Sequence, residues 1–173
     1  MPRDFEIEVG TYDGIDVEKI ASEELFKASL RAQEHWRKNL HEGQGALGSH
    51  GHPYEFTGES QNDITISPQT EGALEYVVGG DVVQLAVAEF GRAPGSPPPR
   101  DAIATWARLK GLVPREGETF DEMVAGLRWH IAKHGLKAFA PAQLAADTVN
   151  LDLEERIRAR IEAAQNHAAD EHA

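Results

Sequence analysis

His130 and His134 stand four residues apart in a stretch whose apolar residues recur at helical spacing. Both imidazoles then project from one face, as two ligands of a helical metal site do. The residues between them are Ile131, Ala132 and Lys133. The glutamate that acts as general base in an HExxH metalloprotease is missing and no third ligand can be named, so the pair reads as two solvent-facing or partly packed side chains. His41, His50 and His52 surround a glycine-rich stretch. A His-x-His pair can hold a transition metal, but an ordered site needs a rigid support that this composition does not supply. Gly43, Gly45 and Gly48 have the spacing of a dinucleotide fingerprint, GQGALG. That chemistry needs a strand before the glycines and a helix N-terminus after them, whereas here a helix is expected before and a loop after. Ser49, Ser60, Ser67 and Ser96 lack the GxSxG setting of a nucleophile elbow, and the many carboxylates are spread as solvated faces. The expectation is a chain with no catalytic, cofactor-binding or metal-ligating residue.

Composition narrows the classes further. There are no cysteines, which removes disulfides, thiolate nucleophiles and sulfur-ligated metals together. The formal charge is −12, from 29 acidic against 17 basic residues, and phosphate-backbone affinity comes mainly from clustered Lys and Arg. Autonomous binding of nucleic acid is therefore not expected. An acidic, lysine-poor surface suits high salt, although ordinary acidic proteins reach this charge as well. No window approaches the roughly 18 apolar residues of a membrane span, and the start, MPRDFEIEVG, does not read as a secretory signal. A soluble protein is expected, intracellular or enclosed in something assembled in the cell. The 173 residues suffice for one core.

The elements follow from periodicity. Phe5 to Val9 alternates and reads as a strand or extended arm within residues 1–14. Val17, Ala21, Leu25, Ala28, Ala32, Trp36 and Leu40 place one apolar stripe on a long first helix, with Asp16 as N-cap. Residues 42–56 read as a loop. Residues 63–67 and 73–79 read as two strands joined by a turn, and residues 82–90 fit either a third strand or a short buried helix. Ile103, Trp106, Ala107, Leu109 and Leu112 mark a second helix closed by Gly111. A third covers 120–134, with Thr119 and Glu122 as a capping box and Gly135 at its end. The last helix is expected over about 151–164, followed by a polar tail, 166–173, that frays. The sum is an α+β fold: a long N-terminal helix, a small antiparallel sheet of two to four strands and two or three further helices, in one domain over 15–165.

The stretch EFGRAPGSPPPRDAIATWARLKGL, residues 89–112, is the least generic part of the chain. Three consecutive prolines hold an extended path at low entropy, and each pushes its predecessor out of the helical region. Pro99 falls near the first turn of the next helix, where a missing N–H costs nothing. The corner reads equally as a turn internal to the domain or as a loop that faces a partner. Trp106 lies on the apolar stripe of its helix and is expected in the core rather than at an interface.

Val87 to Pro98, followed by Ala102, Ile103, Trp106, Ala107, Lys110, Gly111 and Leu112, resembles the neck or tail-completion proteins of long-tailed, siphovirus-like viruses of bacteria and archaea. Members of that family carry a similar EFG-R-PG-PP turn before a helix of the form AI-W---KGL. Phe56 to Ser60 with Ile64 is similar to the family's TG-L--SI segment, and His130 to Ala138 to its I-RKGTKA segment. The likeness covers about residues 17–165. It departs at His134 and Leu136, where a basic residue and a threonine are common, and in its acidity. The resemblance implies a structural virion protein without enzymatic activity or cofactor. Identical copies would form a ring that joins the tail to the head-side connector or adaptor and to tail terminator or tail tube proteins. Viral DNA would pass nearby without sequence-specific contact, and no membrane would be involved. A tail terminator or head-closure protein of the same region is the alternative, and a histidine-dependent metal enzyme a more distant one. Phe90, Gly91, Arg92, Pro94, Gly95, Pro97, Pro98 and Trp106 are the residues expected to form the corner and to contact a partner.

Overall fold

The computed structural model describes residues 15–49 and 58–171. The N-terminal arm, the loop residues 50–57 with His50 and His52, and the last two residues lie outside that set, and so does the strand expected over 5–9. Six helices and two small antiparallel sheets make the described part an α+β fold.

Helix α1 spans Val17–Glu42 and α6 spans Pro141–Glu171. At 1.5 Å per residue these 26 and 31 residues extend about 39 and 46 Å. The Asp16 carboxylate accepts from the Lys19 amide at 2.9 Å and opens α1, and Gly43, with φ 66°, closes it. The two helices run antiparallel. Glu24 meets Arg156 and Arg160, Arg31 meets Asp152, and Asn39 donates to the carbonyl of Pro141 at 2.9 Å. Between them Val149, Leu153, Ile157 and Ile161 of α6 form a core cluster with Ala28, against which Val17, Ile20, Leu25 and Ala32 of α1 are partly buried. The stripe predicted for α1 is the one that packs.

A second cluster sits at the other end of α1, where Trp36 and Leu40 join Ile64, Leu85, Ala88, Phe139 and Ala145. Several short elements converge on it. Strands β1 (Gln44–Gly45) and β2 (Gly48–Ser49) form a hairpin whose turn residues Ala46 and Leu47 donate to the carbonyls of Ala140 and Phe139. Helix α2 (Glu59–Asp63) leads into β3 (Thr65–Ser67), which pairs with β4 (Val77–Gly79) in the register Ile66 to Val78. Gln33 and Arg37 of α1 donate to the Ile64 carbonyl, at 2.7 and 2.9 Å, and tie this unit to the long helix. The stretch left open between strand and helix is helix α3, Val83–Phe90. Its N-terminal side is fixed by Asp63, whose carboxylate accepts from the Val82 amide at 2.8 Å.

Several expected boundaries move: residues 44–45 and 48–49, inside the expected loop, pair as β1 and β2, and the strand expected over 63–67 begins at Thr65 because Asp63 ends α2. The strand expected over 73–79 is confined to β4. Helix α6 starts at Pro141, ten residues earlier than expected, because a proline at the first helical position is pre-set for the helix and loses no hydrogen bond there. Its N-terminus is capped from a distance: the Glu89 carboxylate accepts from the amides of Ala142 and Gln143 at 2.8 and 3.1 Å. At the other end the helix continues through Glu171, past the point where a polar tail was expected.

Helices α4 (Arg100–Leu109) and α5 (Phe120–His134) follow the proline corner and pack chiefly on each other. They form a side lobe on the α1/α6 body.

Candidate functional site

The corner is a strap that attaches this lobe. Arg92 and Leu136 exchange both backbone hydrogen bonds at 2.8 Å, and the Gly95 amide donates to the Ala132 carbonyl at 2.7 Å. The Arg128 guanidinium donates to the carbonyl of Pro98 at 2.7 Å, so residues 92–98 are bound along the C-terminal end of α5 and the segment after it. On the body side, the amides of Phe139 and Ala140 both donate to the Ala88 carbonyl.

Two glycines make this crossing feasible. Gly91 has φ 72° and Gly135 φ 71°, left-handed values that disfavour any side chain. A Cβ on Gly91 would lie 2.6 Å from the Leu136 carbonyl oxygen, and one on Gly135 would lie 2.2 Å from that of Arg92. Each glycine therefore admits the backbone that carries the other. Ala140, beside the strap, takes φ 57° without being glycine and is fully enclosed. Pro97, Pro98 and Pro99 carry the chain from the strap into α4, whose N-cap position is Pro99.

Two helices packed on each other bury one seam each and leave the rest in water. The apolar residues buried on these helices are Ala104 and Ala107 of α4 and Val124 and Ala132 of α5. Trp106 and Leu109 are not among them and are 40% and 48% exposed. This corrects the expectation that Trp106 is a core residue. The α4 stripe divides in two, because residues 104 and 107 lie about 100° to 200° around the helix from residue 106. Phe90 is 82% exposed at the end of α3 and Trp129 is 68% exposed on the outer face of α5. With Leu112, Val113 and Leu136, seven of the thirteen exposed large apolar side chains among the described residues lie between 90 and 136. Trp and Phe are the residue types that dominate protein interfaces.

Of the eight corner residues expected from sequence, the structure divides the roles. Gly91, Arg92, Gly95 and Pro98 bind the strap, and Pro94 and Pro97 shape its path. Phe90 and Trp106 offer apolar surface instead. Trp129 was missed. Its signal is its register: it falls off the Phe120, Met123, Val124, Leu127, Ile131 stripe, and a tryptophan off its helix's buried stripe faces water.

Among the described residues, the chemistry-bearing side chains do not converge. His130 and His134 are both exposed, with ring centroids 4.6 Å apart. Among the described residues, no group of three or more His, Asp or Glu is placed to hold a metal ion. The GQGALG segment is the β1–β2 hairpin, preceded by helix α1 where a dinucleotide fingerprint needs a strand. The concentrated charge lies elsewhere, in the α1/α6 seam. There Glu24, 2% exposed, is 2.9 Å from Lys27, 3.0 Å from Arg160 and 3.2 Å from Arg156. Burial by itself raises the Glu24 carboxyl, but the Lys27 and Arg160 hydrogen bonds and the charges of Lys27 and Arg156 outweigh it and hold the group below its ordinary value. This network cross-links the two helices, a role in assembly of the fold. No described helix is long and apolar enough to cross a membrane.

The chain matches no protein-family model, no curated protein and no solved structure.

Proposed function

We propose that the chain is a structural component of the head-to-tail connector region of a long-tailed virus, acting as a ring of identical copies that joins the tail to the head-side connector. The single observation that carries this reading is the side lobe. Phe90, at the end of α3, and Trp106 and Trp129, on the two helices that a stiff, glycine- and proline-defined strap attaches, are 82%, 40% and 68% exposed, and large aromatic groups left in water suit contact with a partner. The likeness of residues 87–112 to the tail-completion turn and helix supports it from the sequence side, and that stretch is the strap and α4.

Rings place one surface of each copy on a different surface of the next, so a rigid lobe beside a long helical body suits the geometry. A net charge of −12 would also let DNA pass close to the ring without adhering. Deletion of the coding sequence from the virus is expected to leave filled heads and finished tails that never join, counted by electron microscopy. Normal particles from the deletion would reject a joining role.

A further inference from the structure

The charges of this chain are not spread evenly along its surface. Residues 58–89, which comprise α2, the β3–β4 pair and α3, contain six acidic residues and no Lys or Arg. Residues 90–138, the strap and lobe, contain eight basic against five acidic residues, a net +3 inside a chain of −12. Each segment also exposes apolar side chains. The β3–β4 arm and the start of α3 beside it show Leu74, Val77 and Val83 at 58%, 58% and 68% exposure. Around them Glu71, Glu75 and Asp81 are exposed, whereas Asp63 and Glu89 are already spent on capping. On the lobe Lys133 stands one turn from Trp129, and Arg115, Lys133 and Lys137 are all exposed.

We propose that the aromatic, basic lobe of one copy docks on the acidic, apolar β3–β4 arm of the next copy, a head-to-tail contact between identical chains. The inference rests on the ring reading and specifies its interface. The two surfaces are complementary in charge, so lobe-on-lobe and arm-on-arm pairings are repulsive and the lobe-on-arm contact is the favoured one. The apolar groups supply the burial, with Trp129, Trp106 and Phe90 as anchors, and the charges choose the partner surface.

The experiment uses the full chain in three forms: unaltered, a lobe variant (Arg115→Glu, Lys133→Glu, Lys137→Glu) and an arm variant (Glu71→Lys, Glu75→Lys, Asp81→Lys). All positions are exposed, and unchanged thermal melts verify folding. Sedimentation velocity at low salt and up to millimolar concentration is expected to show assemblies of the unaltered chain that weaken as salt rises. Each variant alone should require at least about a hundredfold higher concentration to associate, because like charges now face each other. Mixed in equal amounts, the two variants should associate again, since every lobe finds an arm of opposite sign in an alternating series. A mixture that stays monomeric, a lobe variant that assembles like the unaltered chain, or an unaltered chain that remains monomeric throughout each overturn the proposal. The joining function stands apart from these outcomes. A chain that assembles through another face keeps its place at the head–tail junction, and the deletion phenotype reports on that independently.

Discussion

Single residues divide into those that hold the fold and those that spare it. Gly91 and Gly135 belong to the first kind, because alanine at either meets a backbone oxygen within 2.6 Å at a left-handed φ. Gly91→Ala or Gly135→Ala should cost at least about 2 kcal/mol, read as a lowered urea midpoint. Gly111→Ala, at φ 64° with open space around it, should cost only about 1 kcal/mol. Glu24 is the buried counterpart. Its carboxyl is held below its ordinary value of 4.5, so the stability it contributes is present above that pH and is lost as the pH falls through the lower, folded-state value. Glu24→Gln should destabilise the chain at neutral pH by about 2 to 4 kcal/mol, less than a wholly enclosed pair would, because Arg156 and Arg160 are 37% and 39% exposed and can turn to water. The acid limb of its stability curve should also be flatter. Trp129 and Phe90 are of the second kind. Trp129→Ala and Phe90→Ala should leave the melting temperature almost unchanged, with effects within about 0.5 kcal/mol, while weakening self-association.

At the scale of elements, the capped and striped helices are legible in the sequence. Asp16 and the Thr119–Glu122 box cap the helices they were expected to cap, and the α1 stripe is the buried one. What could not be read depends on partners far apart in the chain. Residues 82–90 are almost all apolar, so periodicity cannot separate a strand from a buried helix; Asp63, nineteen residues earlier, favours the helix through its bond to Val82. The start of α6 depends on Glu89, 53 residues before Ala142. Glu89→Ala should cost about 1 kcal/mol and increase amide exchange in the first turn of α6, while leaving the α1/α6 seam protected. The lobe carries the same lesson. A stripe in α4 can be counted from sequence, but which half of it is buried depends on what packs against the helix. The small residues Ala104 and Ala107 go inward, so Trp106 goes out.

The described part of the molecule is a long antiparallel helical pair with an acidic arm tied to α1 at Ile64 and a basic aromatic lobe joined to the body near Phe139 and Ala140. The separation of charge was present in the sequence but invisible in its total, since −12 conceals a segment of +3. Assembly should be visible without any label. Trp36 is 8% exposed and Trp129 68% exposed, so a blue shift of tryptophan emission on raising the concentration would report burial of the lobe, and Trp129→Ala should remove most of it. The most direct measurement is a cryo-electron microscopy reconstruction of the assembled particle at its head–tail junction. The account predicts a closed ring of this chain there, with Phe90, Trp106 and Trp129 buried between neighbouring copies. A junction that contains no copy of the chain, or one in which those three rings face solvent on every copy, would contradict it.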